Sequence, residues 1–150
     1  MTPSDVEPGS NDASVTVVGG PLAAPVLGRV VGMLAARADC PIDRLDDALL
    51  VADAVAAKAA SFSDDGRVSV HVTAEIGSVE LLVGPLRPHG ADELVESAAL
   101  PGVGNVLEQV ADELEAERHD GEANAEYLRI RLGFDVQRPS MIDRMGSDAS

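Results

Sequence analysis

Arg67-Val-Ser-Val-His-Val-Thr-Ala-Glu75 alternates apolar and polar residues without a break, with Val68, Val70, Val72 and Ala74 on one face. A period of two is that of a strand with one buried side. Gly77-Ser78 follows, then Val79-Glu-Leu-Leu-Val83, and the two runs predict an antiparallel hairpin. Upstream, Val26, Val30, Leu34 and Ala38 recur four apart between Leu22 and Ala38, with Leu27 and Val31 beside them, which predicts a helix with a core-facing stripe. Asp39-Cys-Pro41 ends it. Asp43 is placed to cap a second helix running to about Phe62, whose apolar stripe is Leu45, Leu49, Ala52, Val55 or Ala56, Ala59 and Phe62.

Ser14-Val-Thr-Val-Val18 before Gly19-Gly20 is a short opening strand. Beyond the hairpin, Gly84-Pro-Leu-Arg-Pro-His-Gly90 predicts a loop, since its prolines remove backbone donors. Ala91–Ala98 and Val103–Ala111 are helical stretches. In Asp112–His119 helical propensity opposes an alternation of Leu114 and Ala116 with Glu113, Glu115 and Glu117. Asp120-Gly121 and the clear alternation of Glu126–Leu132 favour a strand there, giving two edge strands joined by a polar loop. Helices laid on one face of a mixed, mostly antiparallel sheet follow, an α+β two-layer sandwich over 14–136. The polar stretches 1–13 and 137–150 are predicted to be disordered tails.

The chain has 150 residues, 45% of them hydrophobic, which suits one globular domain. Phe62, Tyr127 and Phe134 are its only aromatic residues, so the core is aliphatic. A net charge of −15, with Lys58 the sole lysine, opposes a nucleic-acid surface. No apolar run has the length of a membrane span, and the acidic beginning Met1–Asp12 is unlike a signal peptide. A lone Cys40 forms no internal disulfide, and the expected location is the cytoplasm.

Chemistry-bearing residues are sparse. His71, His89 and His119 have no partner at metal-ligand spacing, so each is read as a solvent-facing imidazole, and no metal site is expected. The acid-rich 112–122 lacks the alternating ligands and central glycine of a calcium loop. On the second helix Asp43, Asp46, Asp47 and Asp53 form an acidic stripe, Asp46 and Asp53 sharing a face. In Leu100-Pro-Gly-Val-Gly-Asn-Val106, Gly102 and Gly104 precede a helix, where backbone N–H groups and the helix dipole suit a phosphate.

This order of elements, with a Gly-x-Gly helix followed by Val110-Ala-Asp112 and a closing hairpin, resembles the histidine-kinase-like (GHKL) ATP-binding domain over Ser14–Phe134. That domain is shared by histidine kinases, gyrase and the bacterial anti-sigma-factor serine kinases. The small size and the lack of a dimerising histidine helix resemble the stand-alone anti-sigma members most closely. The resemblance implies Glu-x-x-x-Asn on the second helix, the acid orienting a hydroxyl and the amide holding magnesium and phosphates. Asp53 and Ala57 stand at those positions, with Lys58 adjacent. It also implies an Asp-x-Gly-x-Gly box for adenine, where this chain has Val83-Gly84-Pro85-Leu86-Arg87, the nearest acids being Asp92 and Glu93. Gly102, Gly104 and Asn105 are the remaining cofactor-binding candidates for ATP and magnesium, and Asp53 the catalytic one.

By this resemblance the chain is expected to be a regulatory protein that binds a sigma factor or an anti-sigma antagonist, with Mg-ATP chemistry weak or lost. A homodimer is compatible with it, and the first helix and the 84–101 surface are the expected contact regions. An active serine-protein kinase using Asp53 as base, and an unrelated α+β interaction domain, are the alternatives.

Overall fold

The structure, a computed structural model, describes residues 11–102, 104–119 and 125–135. The chain runs through β1 (Asn11–Val18), α1 (Ala23–Arg37), α2 (Ile42–Lys58), a 3-10 turn (Ala59–Phe62), β2 (Arg67–Glu75) and β3 (Ser78–Leu86). It continues through α3 (Gly90–Ser97), β4 (Ala99–Leu100), β5 (Gly104–Asn105), α4 (Val106–Val110), β6 (Glu113–His119) and β7 (Ala125–Gly133). Five strands form one sheet in the order β1-β2-β3-β7-β6, and β4 and β5 form a separate small ribbon. The fold is the expected α+β two-layer sandwich.

Every pairing in the sheet is antiparallel, where a mixed sheet was expected. The reason lies in the pair of helices between β1 and β2. One helix carries the chain to the opposite end of the sheet and a second brings it back, so β2 starts where β1 stopped and runs the other way. β7 is not an edge strand, because it returns between β3 and β6; the edges are β1 and β6. The 112–119 segment is a strand, as its period indicates, with Leu114 opposite Ile130 and Ala116 opposite Leu128.

Burial corrects the helical stripes. On α1 the buried residues are Leu27, Val31, Leu34 and Ala35, with Ala38 just beyond, while Val26 is half exposed. A step of four residues turns about 400° in a helix, so four-apart residues drift about 40° per step and leave the core face. Steps alternating between four and three hold it, as 27, 31, 34 and 38 do. On α2 the same logic buries Ala48, Val51, Ala52, Val55 and Ala56 and leaves Leu49 at the surface. Pro41, not Asp43, is the N-cap of α2, and Asp43 lies in the first turn, where its charge favours the helix dipole.

Val68, Val70, Val72 and Ala74 of β2 are all fully buried against the helices, as their alternation requires. Val79, Leu81 and Val83 of β3 and Leu128, Ile130 and Leu132 of β7 complete the same face. β3 extends past the expected loop start to Leu86, with a register irregularity between Val83 and Leu86 and a cis Gly84-Pro85 peptide. Proline is tolerated at such a break because no ladder donor is needed there. Asn11–Ala13, expected to be tail, belong to β1; Val103, the Asp120-Gly121 turn and both outer tails lie outside the described residues.

Candidate functional site

Asp53, Ala57 and Lys58 are exposed on α2, on the side away from the sheet. α4 packs against α2, so the second helix and the segment after the glycines lie together. Between them is a cavity of about 140 Å3 lined by Asp53, Ala57, Lys58, Ser97 and Val106, among others. Ligand pockets for molecules of drug size run to roughly 300 Å3 and above. The hollow beside Asp53, Ala57 and Lys58 is therefore small, and Gly102, Gly104 and Asn105 do not line it. A second, shallower hollow of about 560 Å3 between α1 and α2 is bordered by Asp46, Leu49, Leu50 and Asp53.

Gly102 and Gly104 are not the first residues of a helix. They shape the link between β4 and β5, where Leu100 pairs with Gly104 and Ala99 with Asn105. Both have positive φ, 77° and 95°, and a Cβ on Gly104 would fall 2.5 Å from Gln109 Nε2. The helix begins at Val106 and has five residues. Its early N–H groups are in use: Val106 N donates to Ala98 O at 3.0 Å and Glu108 N to Asn105 Oδ1 at 3.1 Å. Asn105 is also held at its other end, where Nδ2 donates to Val95 O at 2.7 Å. The three residues thus serve the turn that joins α3 to α4, and two of the N–H groups at the start of that helix are bonded within the chain.

At the exit of β3, the position of the adenine box, the side chain facing Gly84 is Tyr127. A Cβ on Gly84 would lie 2.4–2.8 Å from three atoms of that ring. Farther on, Arg87 donates to Glu93 Oε1 from two nitrogens, each at 3.2 Å, and stacks over Phe62. Glu126 of β7 is 5% exposed and accepts hydrogen bonds from His89 N at 3.0 Å and Ala91 N at 3.1 Å. The start of α3 is therefore occupied by the chain's own carboxylate. Glu126 shares its parity with Leu128, Ile130 and Leu132, so its place on the core face is written in the alternation, though sequence reasoning passed over it.

A second polar centre escapes any local pattern. Arg44 of α2 donates from Nε to Gly133 O at 3.2 Å, from Nη1 to Asp47 Oδ2 at 2.8 Å and Val110 O at 3.1 Å, and from Nη2 to Asp112 Oδ2 at 2.8 Å. Its pKa is raised: burial opposes the charge, but the hydrogen bonds and charges of Asp47 and Asp112 outweigh it. Arg44 ties α2 to α4 and the last strand, and its partners lie 66–89 residues away apart from Asp47. Arg44→Met should lower stability by about 1–2 kcal/mol, because charged hydrogen bonds are lost at a partly exposed site. Urea unfolding measures it, and an unchanged midpoint would show that the cluster contributes nothing.

On the open face of the sheet, Ser14 Oγ lies 2.7 Å from His71 Nδ1, and His71 Nε2 lies 3.8 Å from Asp12 Oδ1. Ser14 and His71 are cross-strand partners on a solvent-facing surface. The Asp12 distance exceeds a hydrogen bond, so the group is a surface pair of the sheet rather than a nucleophilic triad. Arg129 on the same face is paired with Glu80 and Glu117. Burial raises the Cys40 thiol above its ordinary pKa, with Arg44 acting in the other direction. Among the described residues no group of three or more His, Cys, Asp or Glu is arranged to hold a metal ion, and no helix is long and apolar enough to cross a membrane. Compared with known proteins, the chain matches no protein-family model and no curated protein sequence.

Proposed function

We propose that the protein is a regulatory binding protein of the anti-sigma type, working in the cytoplasm by docking on a sigma factor or its antagonist, with weak or lost Mg-ATP chemistry. The observation that carries this reading is the junction of α2 and α4. The packing of α4 on α2 supports the histidine-kinase-like resemblance, yet Ala57 offers no ligand atom and the cavity measures about 140 Å3. Loss of an adenine acceptor costs about 1–3 kcal/mol, and loss of a metal-site group typically a further 10–100-fold, so nucleotide affinity falls by roughly several hundredfold. What remains is an acidic surface suited to a basic protein partner.

Titration calorimetry against a panel of purified sigma factors and anti-sigma antagonists tests the reading. Stoichiometric binding of one of them, together with inhibition of transcription from its promoter, is the expected result; silence across the panel contradicts it. Transfer of phosphate from ATP to an antagonist, abolished by Asp53→Ala, would instead establish an active kinase.

A further inference from the structure

We infer that the outer edge of β6, with the hollow beside it at α3 and α4, is a docking site for an extended Lys/Arg-rich segment of another protein, which joins the sheet as a strand. Among the described residues β6 is bonded only to β7, so the backbone groups along its other side have no strand to pair with. The edge is seven residues long, Glu113–His119, and spans about 24 Å. Peptides that add to such an edge gain affinity from main-chain hydrogen bonds and specificity from the pockets that take alternate side chains.

The helical layer stops short of this edge. α3 packs on β7, and the core-facing residues of β2, β3 and β7 are buried, whereas Leu114 of β6 is half-buried and Ala116 is exposed. The space that remains is a hollow of about 370 Å3, apolar where Val95, Leu114 and Ala116 line it and acidic where Asp92, Glu96 and Glu108 do. A strand laid against β6 sends every second side chain to this side. Lysine and arginine fit it, because their stems cover the apolar part while their charges reach the acids.

Charge selects the occupant. On the other face of the sheet the alternate side chains of the added strand fall beside Glu113, Glu115 and Glu117, where Arg131 and Arg129 hold Glu113 and Glu117 from the β7 side. Arg118 is the one Lys or Arg of β6. Antiparallel pairing of β6 with a second β6 would set glutamate opposite glutamate, and like charges so placed are destabilising. Charged side chains are a usual protection of an edge strand. Here they repel acidic strands and copies of this chain, and they attract a cationic one. The inference does not depend on the proposed function, since it names the chemistry of a segment and no sigma factor.

Fluorescence anisotropy of the full chain with a labelled peptide of alternating lysine and valine, as long as β6, tests it. One peptide should bind per chain, about tenfold more weakly at 500 than at 50 mM NaCl, because salt screens exposed charges. The same peptide N-methylated at every residue keeps its charges and has no donor for β6, so its binding should be weaker by roughly tenfold or more. Glu96→Lys with Glu108→Lys should weaken the unmethylated peptide by about tenfold. Ala116→Lys, a single change at an exposed residue, serves if that double variant does not fold. Asp46→Lys with Glu75→Lys makes the same change of net charge on α2 and β2, and should leave affinity within about twofold. No binding by the full chain, equal binding of the methylated peptide, or equal weakening by the two charge-reversed pairs would overturn the inference.

Discussion

Glu126→Ala should lower the unfolding free energy by about 2–4 kcal/mol and the melting temperature by on the order of 10 °C. The carboxylate is buried and receives two backbone N–H groups at the start of α3, from His89 and Ala91. Alanine removes both acceptors at once and leaves the buried Ala91 N–H without a partner, at roughly 1–3 kcal/mol, with a smaller loss at the His89 N–H, whose residue is exposed. It also removes a negative charge from the positive end of a helix dipole. Arg118 lies 4.0 Å away on an exposed side chain, so its pairing adds little. Glu126→Gln keeps one carbonyl oxygen as acceptor and should recover about half of the loss. Thermal and urea unfolding of both variants checks the pair of values; a cost below about 1 kcal/mol for alanine would show that α3 does not depend on this cap.

Gly84→Ala is expected to cost about 2 kcal/mol, in the range of overpacked interiors. The added methyl would sit under 3 Å from Tyr127 Cγ, Cδ2 and Cε2, and Cγ cannot swing clear as the far end of a flexible chain would. A cycle with Tyr127→Ala isolates the contact. In the Tyr127→Ala background the Gly84→Ala cost should fall to within about 0.5 kcal/mol of zero. A cost that stays near 2 kcal/mol without the ring would place the requirement for glycine in the backbone of β3 instead.

Much of the scaffold could be deduced from periodicity, because a buried sheet face writes itself directly into alternation. β2 shows this best, its four core residues standing at every second position. β6 also follows the period of a strand, although Glu113–His119 carries good helix formers and its Leu114 and Ala116 are half-buried and exposed. Where two apolar registers coexist on one helix, pattern alone does not say which is buried. α1 offers both Val26-Val30 and Leu27-Val31, and the choice depends on the sheet beneath it.

Candidate sites were harder to deduce for the same physical reason. Gly102 and Gly104 look alike as phosphate-binding and as turn residues, and the bonds of Asn105 and the position of Gln109 are not written in any local pattern. Arg44, Asp112 and Gly133 meet through folding alone. So do Ser14 and His71, 57 residues apart. Glu126 was within reach, since a charged residue in core parity must be paired.

The proposed docking protein, a histidine-kinase-like scaffold without effective use of Mg-ATP, is best checked through its melting temperature in the presence of millimolar ATP and magnesium. A ligand at one hundred times its dissociation constant stabilises the native state by about 2.7 kcal/mol. The expected result is no shift beyond that produced by magnesium and an equal concentration of sodium triphosphate. A nucleotide-specific rise of several degrees, saturating at micromolar ATP, would contradict it.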